Sequence, residues 1–86
     1  MGKLHRKVIR VLRKHFGPVR DALEEVEENG GVTGIIISAA FNRMDFDERQ
    51  RRLSKVLQES LTPQEEAIVG PIAALTPAEA DVKAMF

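Results

Sequence analysis

The sequence contains no cysteine, tryptophan or tyrosine, and its four phenylalanines are its only aromatic residues. The lack of cysteine excludes a disulfide scaffold, a thiol nucleophile and a thiolate metal site. A small domain without disulfides fits a reducing compartment, so a cytoplasmic protein is expected. The core must then be built mainly from leucine, isoleucine, valine and alanine side chains.

Long apolar segments are also missing. Segment 30–41 carries no charge, but it is too short to span a bilayer, which takes about 20 residues. Arg10, Arg13 and Lys14 interrupt any apolar stretch that a signal peptide would need near the N-terminus. No membrane association is therefore expected.

The 86 residues predict a single domain over positions 1–86, near the lower size limit for folding without disulfides or bound metal ions. Formal net charge is zero, but the charges are unevenly placed along the chain. Seven cations precede the first acidic residue, Asp21, and an acidic cluster with Glu24, Glu25, Glu27 and Glu28 follows. The domain is expected to carry a basic first helix on an otherwise balanced surface.

Residues 3–16 predict an amphipathic helix at about 100° per residue. One half of its helical wheel is apolar, with Leu4, Val8, Ile9, Val11, Leu12 and Phe16, and the other half carries Lys3, Arg6, Lys7, Arg10, Arg13 and Lys14. Gly17-Pro18 ends it. His5 and His15 fall in the apolar half and are expected to border the core. They lie about 15 Å apart along the helix, too far to share a metal ion.

Residues 19–28 allow two interpretations. Val19, Ala22, Leu23 and Val26 have helical spacing, and the glutamates favour a helix. The following Asn29-Gly30-Gly31 favours a hairpin instead, with 23–28 as its first strand. The residues by themselves leave both interpretations open.

Segment 32–41 is the clearest strand, and its Ile35-Ile36-Ile37 run predicts a central strand covered on both faces. Gly31-Val32-Thr33-Gly34 matches the GxxG pattern with which KH domains clamp a nucleic-acid backbone. The match is short and lies in a predicted hairpin turn, where glycine is favoured for a positive φ in any case. The structural interpretation is preferred.

Three capping signals divide the rest of the chain. Asp45 and Glu48 predict the start of a helix that runs to about Glu59, with an apolar stripe of Phe46, Leu53, Val56 and Leu57. Thr62-Pro63 and Thr76-Pro77, each followed by an acid at the third helical position, predict two short helices. Between them 68–75 predicts a strand, which Pro71 restricts to a sheet edge or breaks. Capping also explains Asp45, Asp47 and Glu48 better than a catalytic role does.

Segment 38–57 carries a resemblance. It reads Ser38-Ala39-Ala40-Phe41, then Arg43-Met44-Asp45, then Arg49-Gln50-Arg51, with Leu53 and Leu57 beyond. This pattern resembles the central signature of the BolA family, in which Ser and Phe precede a Gly and an Arg-His-Arg helix start. Ser38, Phe41, Arg49 and Arg51 match without a gap. Downstream, 68–75 with Thr76-Pro77-Ala78-Glu79 resembles the family's last strand and final helix start, so the resemblance covers residues 23–79.

The resemblance implies an α+β fold like that of a class II KH domain. In that fold a small three-stranded mixed sheet is packed by helices in the order αββα(α)βα. The order agrees with the elements read from the residues, and it favours the strand in 19–28.

Two departures from the family pattern bear on chemistry. Arg43 replaces the family's glycine, and Gln50 replaces the histidine of Arg-His-Arg. The family is associated with sharing an iron–sulfur cluster with a monothiol glutaredoxin, through a His near the last strand and a His or Cys between the first two strands. That loop contains only Asn29, Gly30 and Gly31 here. Because glutamine is a poor cluster ligand and no thiolate exists, we expect no cofactor, and a glutaredoxin partner would not imply ligation by this chain.

Three hypotheses follow, none of them catalytic. The first is a BolA-like regulatory or adaptor protein, related to stress or transcription, that contacts protein or nucleic acid through Arg49, Arg51, Arg52 and Lys55. The second is a KH-like DNA- or RNA-binding domain that uses the basic face of the first helix, with Lys3, Lys7, Arg10 and Lys14. The third is an interaction domain whose edge strand pairs with a partner protein or with a second copy of the chain. The protein is expected to be a monomer or a weak dimer. Ser38, Phe41, Gln50, Thr76, Pro77 and Glu79 are expected to be structural; for Arg49, a structural role at the strand–helix junction is the alternative to partner contact.

Overall fold

The computed structural model describes the backbone of residues 2–84 and the side chains of residues 2–81. The elements are α1 (Lys3–Phe16), β1 (Arg20–Val26), β2 (Gly31–Ile37), α2 (Phe46–Ser60), α3 (Pro63–Ala67), β3 (Val69–Leu75) and α4 (Pro77–Ala84), with a 3₁₀ turn at Ala39–Phe41. The sheet order is β1-β2-β3, with β1 antiparallel and β3 parallel to β2. The predicted α+β architecture and its mixed three-stranded sheet are confirmed. Among residues 2–84, no helix has both the length and the apolar content needed to cross a bilayer.

The first helix has the predicted bounds. Leu4, Val8, Leu12 and Phe16 are buried, which places its apolar side against the sheet. His5 is also buried, as expected, and its Nε2 has no hydrogen-bond partner. The expectation for His15 is wrong: it is exposed, because it lies on the side of the last turn that faces the groove between α1 and α2.

The ambiguous segment forms a strand. β1 begins at Arg20, three residues before the predicted start, and pairs Leu23 with Gly34 of β2. The hairpin turn covers residues 27–30, and Gly30 adopts the positive φ of 70° that favours glycine. The Asn29 side chain closes the turn by accepting a hydrogen bond from the Gly31 amide at 2.8 Å.

The second strand is central, as predicted, but shorter, since it ends at Ile37. Coverage of both faces is wrong. Val32 and Ile36 are buried on the helix side, whereas Ile35 and Ile37 on the other side remain partly exposed. The β-branched run reflects a strand paired along both edges, not one covered on both faces.

The GxxG match does not lie in a turn. Residues 31–34 belong to β2, where a side chain on Gly31 would approach the Ile68 carbonyl and one on Gly34 would approach the Ala22 carbonyl. These glycines permit close approach of neighbouring backbone, so the segment is not a free loop that could clamp phosphates.

The third strand is unbroken and lies at the edge of the sheet, which confirms the edge position predicted from Pro71. β3 is an edge strand, and its pairing with β2 shifts register between the Val32–Val69 and Gly34–Ile72 pairs, where Pro71 lies. The Thr33 hydroxyl donates to the Pro71 carbonyl at 2.6 Å and holds this irregular segment against β2.

All three capping predictions are confirmed. Asp45 accepts a hydrogen bond from the Glu48 amide at 2.8 Å at the start of α2. Thr62 and Glu65 form a reciprocal capping box at α3. The prediction for Phe46 is wrong: it is 50% exposed. Arg49, one turn later, already reaches Ala74 near the end of β3, so Phe46 lies beyond the sheet.

Candidate functional site

The junction between β2 and α2 begins with Ser38, which is buried. Its hydroxyl donates to the carbonyl of Phe16 at 2.9 Å and accepts from the amide of Ala40 at 3.1 Å. Its own amide donates to the Leu75 carbonyl at 3.1 Å. One side chain and its backbone therefore join the end of α1, the 3₁₀ turn and the end of β3.

Phe41 completes the turn and is fully buried. Its ring contacts that of Phe16, with centroids 4.9 Å apart and planes tilted by 48°, a favourable aromatic geometry. The position holds the strand–helix junction against the last turn of α1.

Arg49 is buried in the first turns of α2, with its side chain 8% exposed. Its Nε donates to the Met44 carbonyl at 2.9 Å, and its Nη1 donates to the Ala74 carbonyl at 3.4 Å and to Glu79 Oε1 at 2.7 Å. These acceptors offset the unfavourable position of a cation near a helix N-terminus. Two of the acceptors are backbone carbonyls, and the third is the carboxylate of Glu79 from α4. The contacts favour the structural alternative for Arg49.

Gln50 acts as a substitute for a neighbouring strand. Its amide nitrogen donates to the Ile72 carbonyl at 2.9 Å, and its amide oxygen accepts from the Ala74 amide at 3.0 Å. These are the groups that β3 would otherwise offer to another strand. Gln50 and Arg49 thus cover the outer edge of β3, and covered edges resist pairing with other chains.

The start of α4 is joined to this junction through Glu79. Thr76 and Glu79 cap the helix reciprocally, with the Thr76 amide 2.8 Å from Glu79 Oε1 and the Glu79 amide 3.2 Å from the Thr76 hydroxyl. The hydrogen bond from the Thr76 backbone lowers the pKa of Glu79 most, the Thr76 hydroxyl and Arg49 lower it further, and desolvation opposes them. Pro77 is the first residue of the helix, where its missing amide proton has no cost.

The interactions that lower the pKa of Glu79 stabilise the fold only while its carboxylate is ionised, so this contribution is lost in acid. Because the folded-state pKa of Glu79 lies below its ordinary value of 4.5, the stabilisation is complete above that value and is lost as the pH falls through the folded-state pKa. We expect Glu79→Gln to melt at a lower temperature than the wild type near neutral pH. The difference should shrink once the pH is well below 4.5. Thermal unfolding by circular dichroism measures it, and a difference that is independent of pH would contradict the assignment.

The remaining predicted residues of α2 are on the surface. Arg51, Arg52 and Lys55 are exposed, as the helical pattern indicates. Arg52 pairs with Glu48 at 3.2 Å within the same helix, an exposed contact of little energetic weight. Arg52 and Lys55 line an open groove of about 420 Å³ between α2 and the end of α1.

Most cations of α1 are also exposed. Lys7 is the exception: it is half-buried and bonds Glu65 of α3 at 2.7 Å, and this hydrogen bond is the main cause that lowers the pKa of Glu65. The exposed cations of the two helices form what we name the cationic helical surface, which consists of Lys3, Arg6, Arg10, Arg13, Lys14, Arg51, Arg52 and Lys55.

Within the described residues, no group of three or more His, Asp or Glu side chains could hold a metal ion. The hairpin turn at 27–30 carries only carboxylate and amide side chains, with no imidazole or thiol that could bind an iron–sulfur cluster. The amide of Gln50 is already bonded to β3. The side chains of the junction thus form hydrogen bonds with other elements of the same chain. Sequence reasoning missed the Arg49–Glu79 pair, since nothing local connects residues 30 positions apart.

Comparison with known proteins was made by sequence and by structure. No family model matches the sequence, and no curated protein is significantly similar to it. Among solved structures, BolA1 from Arabidopsis thaliana superposes with a TM-score of 0.70 at 22% identity, over 92% of this chain and 98% of that one. The BolA domain of SufE1 from Arabidopsis thaliana gives a TM-score of 0.70 at 24% identity over the same shares. At these identities the likeness concerns the fold.

Proposed function

We propose that this chain, whose fold is that of the BolA proteins, forms one BolA-like domain that serves as a non-catalytic regulatory or adaptor module. The fold agrees with the resemblance that Ser38, Phe41, Arg49 and Arg51 carry in the sequence. One observation supports the non-catalytic role above others. Ser38, Arg49 and Gln50 of the signature segment are engaged in hydrogen bonds within the chain.

The surface that remains for a partner is formed by side chains without internal roles. Arg51 and Lys55 on α2 are exposed and make no ion pair among the described residues, and Arg52 has only its weak pair with Glu48. Arg49 is left out of the proposed surface because its guanidinium is buried and bonded. We therefore assign partner contact to Arg51, Arg52 and Lys55, next to the groove between α1 and α2.

A protein partner fits this arrangement best, and a monothiol glutaredoxin is the first to test because of the BolA-like fold. Iron–sulfur ligation by this chain is not part of the proposal, since the chain has no thiolate and Gln50 is engaged with β3. A complex would therefore form without this chain supplying the ligands that the family uses.

Nucleic-acid binding is the second candidate, and the cationic helical surface is the observation that favours it. Exposed Lys3, Arg10 and Lys14 lie on the outer side of α1, where they can neutralise phosphates. The interaction would be electrostatic and independent of sequence, because residues 31–34 form a strand and not a phosphate-clamping loop.

One pair of titrations separates the candidates. We expect a monothiol glutaredoxin to bind the wild type and the double variant Arg51→Glu/Lys55→Glu to bind it more weakly. Circular dichroism should show that the fold of the variant is unchanged. Duplex DNA and single-stranded RNA are titrated in parallel at two salt concentrations. Binding of nucleic acid that falls steeply with salt, together with no binding of the glutaredoxin, would replace the adaptor proposal by the second candidate.

A further inference from the structure

The sheet has a second face, opposite α1 and α2, which we name the outer sheet face. Strand alternation assigns residues to it: Leu23, Val32 and Ile36 point to the helices, so their sequence neighbours point away. Between Arg20 and Glu24, the outer sheet face consists of Arg20, Ala22, Glu24, Thr33, Ile35, Ile37, Ala73 and Leu75, and Val26 and Gly31 continue it toward the hairpin turn. Apart from Gly31, all of these residues are exposed or partly exposed, so no described helix buries this face.

The strand register arranges these side chains in three rows across the sheet. The first row is Arg20, Ile37 and Leu75; the middle row is Ala22, Ile35 and Ala73; the third contains Glu24 and Thr33. The middle row is wholly apolar. A cation and an anion lie on the same strand at equal distances on either side of it.

We propose that the outer sheet face is the contact surface of a symmetric dimer of this chain. The two-fold axis runs along the middle row, across the strands. With this axis, β1 of one copy faces β1 of the other copy, and the two facing strands run in opposite directions. Arg20 then lies over Glu24 of the second copy, and Glu24 lies over its Arg20, while the two apolar middle rows meet.

Charge complementarity selects this arrangement. Packed sheets lie about 10 Å apart, a distance that an arginine and a glutamate span together. An axis parallel to the strands would place β1 over β3 and set Arg20 against Leu75, which leaves both charges without a partner. Isologous contact also requires a surface that complements itself, and one cation and one anion placed symmetrically about an apolar row meet this requirement.

The strand edges are less suited to self-association than the face. Gln50 and Arg49 occupy the outer edge of β3 at Ile72 and Ala74. The other edge strand, β1, carries exposed Asp21, Glu24 and Glu25, and charged edges oppose strand pairing. The earlier hypothesis of pairing through an edge strand is therefore replaced by contact through the outer sheet face.

The size of the face predicts a weak dimer. Three strands span about 10 Å, and the four residue steps from Arg20 to Glu24 span about 13 Å. This is far less than the roughly 800 Å² per partner that stable complexes bury. The dimer should therefore form in the upper micromolar to millimolar range. The inference does not depend on the adaptor role.

A charge-swap experiment tests the dimer by sedimentation equilibrium from micromolar to millimolar concentration. We expect Arg20→Glu and Glu24→Arg each to raise the dissociation constant roughly tenfold, since each creates two like-charge contacts. The double variant Arg20→Glu/Glu24→Arg should recover the wild-type constant to within about threefold, because the pairs are restored in reverse. Ala22→Glu places two carboxylates beside the axis and should abolish the dimer.

Glu28→Arg is the matched control, because it makes the same charge change in the hairpin turn, away from the face. Its dissociation constant should equal that of the wild type. Far-ultraviolet circular dichroism verifies that every variant is folded at the temperature used. A wild type that stays monomeric at millimolar concentration overturns the proposal. So does a dimer that Ala22→Glu leaves intact, and failure of the double variant to recover overturns the axis.

Discussion

Replacement of Phe41 by alanine is expected to lower the free energy of unfolding by about 3–5 kcal/mol, the range for a large aromatic side chain removed from a packed core. Phe41 is fully buried and packs on the ring of Phe16 at 4.9 Å. The substitution would leave a cavity between the strand–helix junction and the last turn of α1. Urea denaturation followed by circular dichroism measures the change.

Phe46 provides the matched control, since it is the same residue type five positions later and is 50% exposed. Phe46→Ala should change the free energy of unfolding by no more than about 0.5 kcal/mol. If Phe41→Ala proves too unstable to purify, Phe41→Leu should still cost about 1–2 kcal/mol, because it keeps most of the buried volume. Equal effects of alanine at the two positions would contradict the assignment of Phe41 to the core.

The second large effect is expected at Arg49. Arg49→Ala should lower the free energy of unfolding by about 2–4 kcal/mol, because it removes a buried guanidinium and leaves one buried and two partly buried hydrogen bonds without their donor. The acceptors are the carbonyl of Met44, between the 3₁₀ turn and α2, the carbonyl of Ala74 in β3, and the carboxylate of Glu79 in α4. A loss of this size corresponds to a melting temperature lower by roughly 10 °C or more.

Two further variants make the test specific. Arg49→Lys should recover only a minor part of the loss, since one ammonium group cannot replace the separate Nε and Nη1 donors. Arg51→Ala, which removes an exposed arginine of the same helix, should be nearly neutral. If Arg49→Ala were as mild as Arg51→Ala, the role of Arg49 would lie in partner contact and not in the fold.

Local sequence patterns account for the helix boundaries of this protein. The bounds of α1 followed from its apolar spacing, and the starts of α2, α3 and α4 followed from Asp45, Thr62 and Thr76. Such signals act over three or four residues, so they are legible along the chain. The position of Pro71 at an irregular edge strand also followed from a property of a single residue, its missing amide proton.

Other features depended on what packs beside each residue. Phe46 shares the helical stripe of Leu53 and Leu57 but is exposed, because α2 extends past the end of the sheet. The Ile35–Ile37 run predicted a strand covered on both faces, yet the helices α1 and α2 pack on one face. The glycines of residues 31–34 looked like part of a turn, but they serve the close approach of strands.

The residues alone determined the caps, the central strand and the order of elements outside residues 19–28, since propensity, periodicity and capping are properties of neighbours in the chain. Only the tertiary structure decided the roles of the signature residues. Arg49 meets Glu79 across 30 positions, and Gln50 meets Ile72 across 22. No local pattern encodes such pairs, because they form only when α2 lies along β3. The same packing leaves the outer sheet face free, with Arg20 and Glu24 on opposite sides of an apolar row.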